Sequence, residues 1–280
     1  MMDKMMNKQY EMTKVPEITL YFWVVKILTT AMGESTSDFL VFHINPFVAV
    51  AVGAIGFIFA LALQFRTRRY IAWIYWFAVL MVAVFGTMAA DVLHVVLGVP
   101  YIASTTLFAI TLIVVFIAWY ASEKTLSIHS IYTVRRESFY WATVSATFAL
   151  GTATGDLTAT TFGIGYFLSG LLFTVLIFGV GVLYYLTKMN SGTGSKHRLS
   201  SEVLTFWLAY ILTRPLGASF ADWMGKPLSW GGLGWGDGTV SLLLFVPILC
   251  LVWYLAASRR DIKARKSNRE NESELALPAK

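Results

Sequence analysis

Eight apolar stretches separated by short polar connections run along the chain, at about 18–40, 44–65, 70–92, 100–121, 139–158, 163–187, 202–224 and 238–257, each near the roughly 20 residues that cross a bilayer as helix. None alternates with the two-residue period of a barrel strand, and a lipid-embedded backbone has to satisfy its own polar groups, so helix is the expected state. The polar positions inside these stretches are ordered. Trp23, then Gly33 ten residues on, then Asp38 five further, form a skeleton that returns as Trp76, Gly86, Asp91, as Trp141, Gly151, Asp156, and as Trp207, Gly217, Asp222. An aromatic residue precedes each Trp: Phe22, Tyr75, Tyr140 and Phe206. Four copies at one spacing predict a tandem repeat, with units at about 15–69, 70–137, 138–201 and 202–257. In each unit the skeleton helix is followed by a turn with Pro or Gly and then a plainer apolar helix, which predicts four helical hairpins.

An even number of helices per unit makes the repeats parallel, and the expected fold is an all-α integral membrane protein of eight transmembrane helices with pseudo-rotational symmetry about the membrane normal. The Trp-to-Asp spacing corresponds to about 22 Å of helix. With the aromatic pairs at one interface, the four carboxylates would lie at one level toward the other.

Composition agrees with this class. The chain is 57% hydrophobic and 14% charged, with a mean hydropathy of +0.64, whereas soluble domains carry about 25% charged residues. The single Cys250 excludes an internal disulfide and a thiolate cluster. Of 22 Lys and Arg, all but Lys26, Arg214 and Lys226 fall on one side of an eight-helix arrangement. By the positive-inside rule that side is the cytoplasm, holding both termini. The basic balance is therefore a topology signal and not a nucleic-acid face. Residues 1–14 read as a polar cytoplasmic N-terminus without a cleavage site, 15–257 as the membrane domain, and 258–280 as a mixed-charge tail expected to be disordered.

The candidate chemistry lies in the charges that the apolar helices tolerate. Intramembrane acids mark ion or proton paths, so Glu34, Asp38, Asp91, Asp156 and Asp222 are the expected ion-binding or translocation residues. Thr30, Glu34 and Asp38 stand at four-residue steps on one helix face. Lys26 in the first repeat and Arg214 in the fourth are equally costly, and a charge network joining them to Glu34 and nearby Asp is expected. Gly33, Gly86, Gly151 and Gly217 read as packing glycines that let helices approach. His94, three residues after Asp91, is a weak candidate metal ligand, and His43 a plain polar residue at a helix end. The Gly- and Trp-rich loop containing Lys226 and Asp237 is expected to fold over the outer mouth.

The four spaced copies of Trp, Gly and Asp on two-helix units resemble a bacterial family of membrane proteins built from tandem two-transmembrane repeats, each with a characteristic tryptophan. The resemblance covers about residues 15 to 257. It implies a multi-pass protein of the bacterial cytoplasmic membrane and supplies no reaction, so Trp23, Trp76, Trp141 and Trp207 carry over as repeat markers. The expected function is a transporter or channel for a cation, either a divalent metal ion or a proton, handled by the carboxylates. The alternative is a membrane scaffold or sensor whose buried charges are structural ion pairs. No phosphate loop, zinc-binding helix motif or nucleophile elbow appears, so no enzymatic activity is expected. The expected partners are the lipid bilayer and an inorganic cation or proton, with no nucleic acid. No cofactor is expected beyond a bound divalent cation, and the apolar surface is compatible with a homo-oligomer.

Overall fold

The computed structural model describes residues 13–190 and 196–262. The expectations for the polar segments at 1–12 and 263–280 fall outside them. Eight long helices make up the described fold, which contains no strand: α1 (Leu20–His43), α2 (Pro46–Arg66), α3 (Ala72–Asp91), α4 (Tyr101–Glu123), α5 (Val134–Asp156), α6 (Tyr166–Asn190), α7 (Lys196–Gly225) and α8 (Asp237–Ser258). Their starts follow from local chemistry. Thr19 accepts from the Phe22 N–H, Asn45 from the Phe47 N–H ahead of Pro46 at the first helical position, and Thr133 from the Arg136 N–H. Each side chain satisfies a donor that the first helical turn leaves open.

Six of the eight helices are long and apolar enough to cross a membrane. The others, α1 and α5, carry Lys26, Glu34 and Asp38, and Arg135, Arg136, Glu137 and Asp156, respectively. Tertiary packing explains the difference. Helices α1, α3, α5 and α7 form a closed inner ring in that order, each packed against two others, with α7 returning to α1. Lys26, Glu34, Asp38, Glu137, Arg214 and Asp222 on these helices turn inward and are buried, whereas Arg135 at the start of α5 is exposed. Helices α2, α4, α6 and α8 lie outside, and large apolar residues such as Ile55, Ile117, Phe178 and Trp253 are exposed on them. An apolar exterior of that extent around a charged interior is the arrangement of a membrane protein.

The glycines close the ring by one repeated contact. A Cβ on Gly33 would strike Ala83, one on Gly86 would lie 2.9 Å from the Phe148 Cβ, one on Gly151 would strike Arg214, and one on Gly217 would strike Thr30. Each Gly therefore faces the residue three before the Gly of the next repeat, and the fourth repeat meets the first. Bare Cα–H groups here let consecutive inner helices touch backbone to side chain.

The expected hairpins are not the packing units. The second helix of each repeat packs chiefly on the inner helix of the following repeat: α2 on α3, α4 on α5, α6 on α7, and α8 on α1. Glycines on the outer helices receive bulky side chains of that next helix: Gly53 meets Met88 and Gly56 meets Met81, a Cβ on Gly170 would lie 3.0 Å from the Phe220 ring, and one on Gly238 would lie 2.9 Å from the Phe39 ring. A turn fixes which helices are consecutive. Complementary knobs and gaps fix which ones pack.

Candidate cation site

The inner ring is layered along its axis. At one end, the Asp end, the four repeat carboxylates converge. Glu34, Asp156 and Asp222 each offer an oxygen within 4.8 Å of the other two. Asp38 and Asp222 are buried, and Asp91 and Asp156 are half-buried. The Lys226 ammonium, just beyond α7, bonds the Asp38 carboxylate and lies 3.7 Å from Asp222 Oδ1. Burial alone would lower the Lys226 pKa, but the Asp222 and Asp38 carboxylates raise it well above the usual lysine range. Among the described residues, no basic side chain forms an ion pair with Asp91 or Asp156.

The loop after α7 positions that lysine. It folds back on the helix end, so that the N–H groups of Leu233, Gly234, Trp235 and Gly236 donate to the carbonyls of Trp223, Lys226, Met224 and Gly225. These bonds satisfy the carbonyls left open at the C-terminus of α7. Gly232 sits against the Lys226 carbonyl where a Cβ would clash with backbone, so the turn requires glycine there.

Directly below the carboxylates, the Arg214 guanidinium crosses the axis. Its Nη2 donates to Glu34 Oε2 (2.5 Å), Thr152 Oγ1 (2.6 Å) and Thr87 Oγ1. Glu34, Thr87 and Thr152 occupy the same place in repeats one, two and three, one residue after the Gly. One arginine of the fourth repeat is thus held by the other three. Both partners of the Glu34–Arg214 ion pair are buried. Desolvating such a pair costs several kcal/mol per ion, roughly, and the threonine hydroxyls help to offset it.

Lys26 lies in the next layer and does not join that network. It is fully buried, its Nζ has no hydrogen-bond partner, and it rests 4.0 Å from the Phe148 ring centre and 4.3 Å from that of Tyr210. The expected four-membered network is therefore two separate features. The step of one helical turn from Thr30 back to Lys26 carries the amine past the carboxylates into the aromatic layer.

That layer closes the opposite, Trp end. Phe22, Tyr75, Tyr140 and Phe206, with Trp76, Trp141 and Trp207, form one buried cluster. The repeat aromatics were placed by sequence near a membrane interface. In the fold Trp76, Trp141 and Trp207 are at most 4% exposed, and only Trp23 is half-buried. They are core rather than belt because they pack against one another and against outer-helix side chains such as Trp119 and Phe116, while neighbours such as Val24, Phe77 and Leu208 take the exposed positions. Tyr75 and Tyr140 share a 2.5 Å hydrogen bond, and Trp207 Nε1 donates to the Leu126 carbonyl.

Two polar clusters beneath the aromatic layer had no place in the sequence reading. Lys14 Nζ bonds Glu137 (2.5 Å), whose second oxygen accepts from Gln64 Nε2 (3.0 Å). Tyr70 donates to Asp261 (2.5 Å), and burial raises the Asp261 carboxyl pKa while that hydrogen bond lowers it. Residues 13–19 run across this end, so Lys14 and Asp261 are buried although both lie in segments read as free ends. Glu137 and Gln64 each stand once in the chain, outside the repeated skeleton. Thr87 and Thr152 were legible in principle, since aligning the four repeats on their Gly puts them beside Glu34.

His94 does not join the carboxylates: its Nδ1 lies 2.9 Å from the Val99 carbonyl and its ring stacks on Tyr101 at 3.5 Å. His43 lies 2.8 Å from the Phe39 carbonyl and stacks on that ring. A π-helical turn follows directly after Asp91 and another after Asp156, closed by bonds from Leu97 N–H to Val92 and from Phe162 N–H to Leu157. Such turns recur at functional sites.

A family model described as Repeat of Unknown Function (DUF347) matches residues 21–70, 74–125, 139–190 and 205–261. The chain belongs to this family. Each matched DUF347 unit contains one Trp–Gly–Asp skeleton on an inner helix followed by one outer helix. The matches end within or just after the outer helices, so the family unit is the sequence hairpin and not the packed pair. No curated protein and no solved structure gave a match.

Proposed function

We propose that this DUF347 protein is a multi-pass carrier of the bacterial cytoplasmic membrane that binds a cation, a divalent metal ion or a proton, at its ring of carboxylates. All eight helices span the bilayer in this reading, related by fourfold pseudo-rotation, with the Trp end and both termini in the cytoplasm. The carrying observation is the convergence of Glu34, Asp156 and Asp222 within 4.8 Å, in a cluster of five acids that, among the described residues, pairs with Arg214 and Lys226 alone. Carboxylate oxygens at that separation are the donor set of a hard cation, and an excess of buried negative charge favours taking one up. Lys226 and Arg214 then act as internal competitors: an arriving cation displaces an ammonium from Asp38 and Asp222 or loosens Glu34 from Arg214. The Arg214 layer and the aromatic floor interrupt the axis, which supports a carrier over an open channel. The protein is not an enzyme in this reading and needs no cofactor.

The test is thermal stability of the detergent-purified protein across a panel of divalent cations and pH values, beside Asp91→Asn and Asp156→Asn, followed by flux of the responding ion in proteoliposomes. Stabilisation of the wild type that both variants lose supports the carrier. A second reading, a membrane scaffold whose charges lock repeats one and four, is favoured by the Glu34–Arg214 and Asp38–Lys226 pairs that join them. Absence of any ion response, with intact folding in both variants, would select it.

A further inference from the structure

Below Arg214 a file of phenols leads out of the bundle. Lys26 Nζ, the Tyr210 hydroxyl and Thr143 Oγ1 are all buried without a hydrogen-bond partner among the described residues, although buried polar groups are rarely left so unless water reaches them. The Tyr210 hydroxyl lies beside that of Tyr140 but outside the geometry of a well-formed hydrogen bond. Tyr140 and Tyr75 are joined hydroxyl to hydroxyl at 2.5 Å. The Tyr75 ring meets that of Tyr70 edge-on, with centres 5.6 Å apart, and Tyr70 donates to Asp261 at 2.5 Å. Asp261 Oδ1, its other oxygen, has no partner among the described residues. Its carbonyl accepts from the Glu17 N–H, and the Glu17 carboxylate lies 3.6 Å from His129, which is 41% exposed at the surface.

We propose that these groups form a proton path from Lys26 through Tyr210, Tyr140, Tyr75 and Tyr70 to Asp261. The rings around Lys26 attract its ammonium but offset only part of what burying that charge costs, so the amine is a group able to give up a proton. On release, the Lys26 ammonium becomes an amine and the Tyr210 oxygen accepts the proton as its own moves on. Each phenol takes one proton and passes one, the last proton converts the Asp261 carboxylate to a carboxylic acid that gives it up to water at the Trp end, and the Lys26 amine takes its next proton from water reaching it from the Asp end. The file has three breaks, between Lys26 and Tyr210, between Tyr210 and Tyr140 and between Tyr75 and Tyr70, which water entering the bundle or a small movement of the hydroxyls must bridge. The charged group bearing on Lys26 is Arg214, which shares the Phe148 ring with it. The phenol that faces it is Tyr210 from α7. This path goes beyond the cation-site reading and stands without it.

The experiment is proton flux into proteoliposomes loaded with a pH-sensitive dye, driven by a potassium diffusion potential. It compares the wild type with Tyr75→Phe, Tyr140→Phe and Lys26→Met, and with the surface control Tyr185→Phe, at a position 62% exposed. The two Phe variants keep the rings, and size-exclusion profiles verify each fold. The expected result is flux in the wild type and control that falls about tenfold or more in the three test variants, in line with the loss of a positioned proton-transfer group. Flux in the wild type no greater than in empty vesicles, or equal flux in wild type and both Phe variants, would overturn the path. Cation-induced stabilisation is measured in parallel: Tyr140→Phe should leave it unchanged and Asp156→Asn should remove it, so path and carboxylate site fail separately.

Discussion

Repeats one and four differ from repeats two and three more than their shared skeleton suggests. The first pair contains the buried charges between the Asp end and the aromatic layer, Lys26, Glu34 and Asp38 on one side and Arg214, Asp222 and Lys226 on the other, while Asp91 and Asp156 of the second pair are half-buried. The second pair presents Val79 and Val144 where the first repeat has Lys26, and Thr87 and Thr152 where it has Glu34. Its two Asp lack ion-pair partners among the described residues, and each is followed by a π-helical turn. A ring of four equivalent units has thus become a charged clamp facing a neutral half with two free carboxylates. Equivalent backbones let substitution specialise one half for holding the ring shut and leave the other with carboxylates that no basic side chain among the described residues pairs.

The largest effect should come from breaking the clamp. Glu34→Ala leaves the Arg214 guanidinium buried without its carboxylate and is expected to cost about 3–5 kcal/mol, whereas Thr152→Val on the neutral side removes one hydrogen bond at about 1 kcal/mol. Unfolding of the detergent-solubilised variants by denaturant would show the ranking. Equal losses would mean that the two halves share the load.

The glycines test the feature that the halves have in common. Gly33→Val, Gly86→Val, Gly151→Val and Gly217→Val should each destabilise by about 1–3 kcal/mol through overpacking of a ring contact. Gly179→Ala on the outer face of α6 meets nothing within 4 Å and should stabilise by about 0.8–1.0 kcal/mol through helix propensity. A tolerant member among the four would mark a loose joint in the ring.

Lys226→Met should move ligand response more than stability. Removing the tethered ammonium frees Asp38 and Asp222, so any cation that stabilises the protein is expected to act at roughly tenfold lower concentration, equivalent to about 1.4 kcal/mol. The pH dependence has a definite sign. Because the folded-state pKa of Lys226 is raised, its pairing contributes fully below the unfolded lysine value of about 10.4 and is lost only as pH rises beyond that toward the folded value. The stability difference between wild type and Lys226→Met should accordingly hold through neutral pH and shrink in strong alkali. The smallest effect is expected for His94→Ala, within about 0.5 kcal/mol and with no change in cation response, since its imidazole touches Val99 and Tyr101 rather than the carboxylates.

Periodicity, spacing and composition were enough for the helices, the repeat and the residues that face inward, because each is a property of a single segment in a given solvent. Eight apolar runs became eight helices, and the four Gly, the five acids, Lys26 and Arg214 all lie on the inner ring. Pairing was decided elsewhere. That Arg214 reaches Glu34 while Lys26 sits apart among aromatic rings depends on a vertical offset of about one helical turn between side chains of different repeats. That the repeat tryptophans are buried depends on a second layer of helices around the first. The outer helix of each unit packs on the next unit because the gaps beside Gly53, Gly56 and Gly170 match side chains there, a complementarity between distant segments that no window of sequence displays. Local solvation wrote the helices and their polar stripe into the chain; the choice of partner for each buried charge needed three-dimensional packing, where distance and desolvation act together.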